Sequence, residues 1–116
     1  MGSSYQDILR RLVVEDRRFV AELFSGEQAT IDTCGLDVRS RSIARVAALV
    51  AHGGSVQTFR WIIGDALEAD VTPDEIIALV LAIAPVVGVA TIVDVAPKVA
   101  LALDYDVGAA LESMGP

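Results

Sequence analysis

The sequence predicts an all-α fold, a compact bundle of about six helices that assembles into an oligomer. Three observations lead there. Apolar residues recur at helical spacing in successive segments, from Ile8, Leu9 and Leu12 to Phe59, Ile62, Ile63 and Ala66. Caps and breaks punctuate those segments at Gly53-Gly54, Ser55 and Thr72-Pro73-Asp74-Glu75. No stretch alternates at period two for long enough to make a sheet.

The first helix starts at Ser4, whose hydroxyl can cap it with Asp7 three residues on, and it carries Ile8, Leu12, Phe19, Val20 and Leu23 to a stop at Ser25-Gly26. Its other face, Arg10, Arg11, Glu15, Arg17, Arg18 and Glu22, reads as solvated and salt-bridged, with docking as the alternative. A second helix runs from Val38 to Ala51 behind Asp37 as N-cap. Ile43, Val46, Ala47 and Val50 form its stripe, and the Ala and Leu residues around it predict burial on most sides. Ser55 caps a third helix that ends near Ala69-Asp70. Thr72-Pro73-Asp74-Glu75 combines an N-cap hydroxyl, a proline at the first helical position and an acid that can reach back, and it opens a fourth helix to about Ala84. A fifth spans Val89 to Leu103, bent near Pro97, and a short sixth starts at Asp106.

The chain has 116 residues, enough for one domain: an N-terminal helix and connection over 1–31, a core over 32–107 and a tail over 108–116. Apolar residues make up 53% of it. A domain of this size buries only ~60 to 70% of the surface its unfolded chain exposes, so the surplus predicts a homo-oligomer. A formal net charge of -7, with no isolated basic cluster, has the wrong sign for nucleic acid or an anionic membrane surface. The uncharged run from Ile76 to Val93 approaches the length of a membrane span, but Pro85 and Gly88 interrupt it and predict two shorter helices. One cysteine, Cys34, and a polar N-terminus predict a reduced, cytoplasmic setting.

The order of these signals resembles the carboxymuconolactone decarboxylase family, which includes the alkylhydroperoxidase D-like proteins. The matching pieces are Leu36-Asp37-Val38-Arg39-Ser40-Arg41, the helix to Ala51, Ala66 to Ile76 with its Val71-Thr72-Pro73-Asp74-Glu75, and Ala84 to Ala90 with its Pro85 and Gly88. The resemblance implies a helical fold assembled as trimers or hexamers, and either decarboxylation of a muconolactone or a thiol-dependent peroxidase reaction. The peroxidase branch uses a Glu, a C-x-x-C at a helix start and a His one turn on, where the helix N-terminus lowers a thiol pKa and a nearby base relays its proton. Laid on this chain with one residue inserted near Gly53-Gly54, the Glu falls on Ser42, the thiols on Ser55 and Thr58, and the His on Ile62. Hydroxyls cannot cycle through a disulfide, so two-thiol peroxidase chemistry is not expected. Ser42 and Ile62 also replace the Glu and His that the decarboxylase branch typically keeps.

The candidate site is therefore a substrate-binding set: Ser42, Arg45, His52, Ser55, Thr58, Trp61 and Ile62, facing each other across the Gly-Gly turn. Arg45 can hold a carboxylate and Trp61 can offer a flat ring. The plainer alternative makes Trp61 core or interface and Arg45 a surface charge. His52 is the one catalytic candidate, and its plainer role is to satisfy the last carbonyls of its helix. Cys34 reads as a small packed residue, and one His with one Cys makes no zinc site, so neither metal nor cofactor is expected. Asp94 and Lys98, at i and i+4, suggest an ion pair. Two functions fit: an enzyme acting on a small aromatic or lactone-like acid, with self and a small-molecule ligand as partners, or a non-catalytic oligomeric module binding a ligand or protein.

Overall fold

A computed structural model of the chain describes residues 5–23, 35–105 and 112–113. It holds six helices among those residues, and no strand among them. In chain order they are α1 (Tyr5–Val13), α2 (Arg17–Leu23), α3 (Val38–His52), α4 (Val56–Glu68), α5 (Pro73–Val87) and α6 (Val89–Ala102). The chain divides into two compact units, Met1–Asp37 and Val38–Pro116. The expected caps and stops at Ser4 and Ser25-Gly26, the cysteine Cys34 and the helix start at Asp106 lie outside the described residues.

In the N-terminal unit the single expected helix is two. Glu15 adopts φ 55°, a left-handed conformation that ends α1. Asp16 then starts α2, its Oδ1 accepting from the backbone N–H groups of Arg18 and Phe19 at 3.1 Å each. An N-cap carboxylate satisfies two orphan donors of a new helix, and this local gain competes with continuing the old one. The polar face is salt-bridged as expected: Asp7 meets Arg10 and Arg11, each at 3.2 Å, and the Arg11 guanidinium lies 5.5 Å from the centre of the buried Phe19 ring.

The core of the second unit is one cluster in which Val46, Val50, Phe59, Ile63, Ala66 and Ile76 are fully buried. α4 packs against both α3 and α6, and α3 also meets α5, so the four helices enclose it. Helix α3 is not buried on most sides. Val46 and Val50 face the core, while Ala44, Ala48 and Ala51 stay exposed, because alanine methyl groups add little burial on the far side of a helix already packed on one stripe.

Ser55 caps α4 as its sequence predicts, accepting from the Thr58 N–H at 3.1 Å. Thr72 and Glu75 form a complete capping box on α5: Thr72 Oγ1 accepts from Glu75 N–H at 3.1 Å, and Glu75 Oε1 accepts from Thr72 N–H at 3.0 Å. Helix α5 does not stop at Ala84. It passes through Pro85 to Val87, and Gly88 at φ 91° and ψ 154° makes the break. Proline lacks the N–H that the Leu81 carbonyl would accept, yet its fixed φ is helical, and both Leu81 and Pro85 lie exposed, where water can take the freed carbonyl. Gly88 has a conformation that only glycine holds without strain, which is why the chain turns there. Pro97 lies inside α6, which ends at Ala102. Among the described residues no helix is long and apolar enough to cross a membrane.

Candidate functional site

The turn between α3 and α4 gathers part of the predicted set. Gly53, at φ 86°, closes α3 through its N–H to the Leu49 carbonyl at 2.7 Å. Gly54 packs closely: an added Cβ would sit 3.1 Å from a Leu49 methyl, which would have to give by a few tenths of an ångström. Ser55 follows, and its Oγ lies 3.0 Å from Thr58 Oγ1. The two positions on which the family's thiols fall are therefore adjacent hydroxyls at a helix start.

The remaining predicted residues are spread around this pair. Ser42 Oγ donates back to the Val38 carbonyl of its own helix at 2.9 Å. Arg45 is exposed, and Trp61 is 63% exposed, which removes the core reading of Trp61 within one chain. Ile62 packs against the hydrophobic cluster. His52 is exposed, with Nδ1 3.1 Å from the Gly53 carbonyl oxygen, a bond that needs the Nδ1–H form. It thus meets a carbonyl just past its helix, close to the plainer role. No hydrogen bond among the described residues joins Ser42, Arg45 or His52 to Ser55, Thr58 or Trp61.

Sequence reasoning missed Lys98 here. The expected Asp94–Lys98 pair is not made; Lys98 Nζ instead donates to the Gly54 carbonyl at 2.7 Å and lies 5.8 Å from the Phe59 ring centre. Asp94 is exposed and Lys98 half-buried, so the amine turns from a weak solvent-screened pairing to a carbonyl and an aromatic face. The signal was present as a lone cation on an otherwise apolar helix stripe, Val95, Val99 and Ala102. It could not be placed without knowing that α6 crosses the start of α4.

Two of the sequence pieces that carry the resemblance meet in the structure. Arg39, from Leu36-Asp37-Val38-Arg39, forms an ion pair with Glu75 Oε2, while Glu75 Oε1 serves the Thr72 cap. One carboxylate thereby ties the start of α3 to the start of α5. Arg41, two residues on, is only 4% exposed, a burial that a charged residue after an exposed helix start does not announce. Among the described residues no three His, Cys, Asp or Glu side chains converge as a metal site.

No curated protein and no solved structure matches the chain. A family model does, that of the carboxymuconolactone decarboxylase family, over residues 18–100, well over half of the sequence. The matched region contains the Arg39–Glu75 tie, both glycine breaks and the four core helices up to Ala100, and on these grounds the chain belongs to the carboxymuconolactone decarboxylase family.

Proposed function

We propose that this protein binds a small aromatic or lactone-like acid beside the Gly53-Gly54 turn, without two-thiol peroxidase chemistry. The observation that carries this reading is the start of α4, where the Ser55 and Thr58 hydroxyls lie 3.0 Å apart one residue beyond the carbonyl that holds the Lys98 ammonium. A helix start bears partial positive charge, hydroxyls donate, and an ammonium adds a full charge, so all three favour a carboxylate. Trp61, exposed on the same helix, supplies a ring for an aromatic or cyclic body, with Arg45 as a second cation. The chain's single cysteine cannot make the C-x-x-C pair, which supports the exclusion of the two-thiol route.

His52 is the group to protonate a bound acid in the enzymatic version of this reading. The non-catalytic version is supported by its engagement with Gly53 and by the lack of a bonded acid-base partner among the described residues. Self-association, as a trimer or hexamer, belongs to both versions and is supported by the exposed aliphatic residues of α5 and α6. So does a cytoplasmic location, supported by the single cysteine.

Titration calorimetry with benzoate and with a butenolide carboxylic acid tests the site. Binding is expected in the wild type, about tenfold weaker in Lys98→Met and weakened in Thr58→Val, which keeps the Ser55 cap. Absence of binding to either acid would falsify the proposal. Carbon dioxide release from the lactone acid by wild type, abolished in His52→Ala, would select the enzyme; binding without turnover selects the module.

A further inference from the structure

The protein also has a concavity whose described lining shares no residue with the site above. It encloses about 470 Å³ between the start of α5 and the end of α6. Its apolar lining is Pro73, Ile77, Ala100 and Leu103. Its polar lining is two carboxylates, Asp74 and Asp104, with the phenol of Tyr105. Among the described residues neither carboxylate has a hydrogen bond or ion pair, and none that lines the groove is basic.

The geometry points to a binding site for a small apolar cation, an aryl- or alkylammonium ion. The volume falls in the ~300 to 1,000 Å³ range of small-molecule sites. Charge complementarity sets the sign. The two carboxylates, without a partner among the described residues, repel an anion and offer a neutral ligand no opposite charge, whereas an ammonium ion gains a charge-assisted hydrogen bond.

The helix ends do not decide the sign, because a negative end and a positive one both border the groove and each is capped. The last carbonyls of α6 carry partial negative charge, and Leu103 and Tyr105 close that end through N–H groups to Val99 and Ala100. The positive start of α5 is already engaged by the Thr72–Glu75 box. An exposed aromatic ring beside an ammonium adds cation–π attraction, and Tyr105 is that ring. Asp104 is held in the left-handed conformation at φ 57°, which fixes the turn placing Leu103 and Tyr105 at the groove.

The probe is phenethylammonium, compared with 2-phenylethanol as its neutral counterpart and phenylacetate as its anionic one, followed by NMR on the full chain. Saturable shifts of the Ile77 and Leu103 methyl groups and the Tyr105 ring are expected with the cation. Affinity for the alcohol is expected to be about tenfold lower, and phenylacetate is expected to leave these signals unmoved. The double variant Asp74→Asn with Asp104→Asn keeps shape and removes charge. It is expected to bring the cation down to the affinity of the alcohol, while binding of the alcohol is unchanged. Equal affinity for cation and alcohol, no saturable shift at these three residues, or undiminished cation binding in the double variant would each overturn the proposal.

Discussion

Lys98 is held by a charge-assisted hydrogen bond and an aromatic face, and these contacts set what its replacement should do. Hydrogen bonds from charged groups contribute about 1.5 to 3 kcal/mol when partly shielded, and a cation over a ring adds roughly 0.5 to 1. Lys98→Met retains the apolar stem along Phe59 but leaves the Gly54 carbonyl to water. It is expected to cost about 1 to 3 kcal/mol in urea unfolding, with the slope of the transition unchanged. Asp94→Asn is the matched control. Asp94 is exposed and makes no ion pair with Lys98, so its change is expected to stay within about 0.5 kcal/mol. A large effect of Asp94→Asn would mean that the i, i+4 pair forms after all. The same two residues show where sequence stops informing. Spacing alone pairs Asp94 with Lys98, but the competing partner, the Gly54 carbonyl, lies 44 positions away and appears only once α6 is packed on α4. Ser55 is the converse: a cap is a local interaction, so its role at the start of α4 was legible in the sequence.

Caps and breaks govern the elements, and they were legible wherever the decisive interaction spans three or four residues. The Thr72–Glu75 box and the Ser55 cap need only their own segments, and both stand as read. The miss at Asp16 is of another kind. The apolar period runs on through Val13, Phe19 and Val20 and masks a carboxylate that can serve as an N-cap. The sequence offers Pro85 and Gly88 together as the interruption, and of the two only Gly88 breaks the helix, since only glycine reaches φ 91° with ψ 154° without strain. That difference makes a prediction. Gly88→Ala meets no atom within 4 Å of its new Cβ, so any loss comes from backbone strain alone, expected at about 1 to 3 kcal/mol. Pro85→Ala should instead be neutral or stabilising, because it restores an N–H to a helix that is already continuous. Thermal denaturation of the two variants separates them: a lower midpoint for Gly88→Ala and an equal or higher one for Pro85→Ala. Thr72→Ala, which removes one half of the box, is expected to cost about 1 kcal/mol.

The whole molecule exposes aliphatic surface that its own fold does not cover. Leu81, Val86, Val89 and Val93 are 66–86% exposed and lie on α5 and α6 on either side of the Gly88 break. Burying one such side chain completely is worth about 1.5 to 3 kcal/mol, so a contact that covered several would offset a substantial part of the entropy lost on association. The net charge of -7 works against assembly, because like-charged copies repel until salt screens them. Both terms are measurable. Sedimentation of the wild type is expected to give a trimer or hexamer mass, with association strengthened as salt rises from low to physiological levels, where the screening length falls to about 8 Å. Val86→Glu with Val93→Glu places two carboxylates in the aliphatic patch while leaving the core cluster untouched, since neither valine belongs to it. That variant is expected to sediment as a monomer with an unchanged helical circular dichroism spectrum. A wild type that remains monomeric at micromolar concentration in physiological salt would remove self-association from the description of this protein. A double variant that keeps the wild-type mass would move the interface away from the α5–α6 corner, toward the exposed alanines of α3 or the Trp61 face of α4.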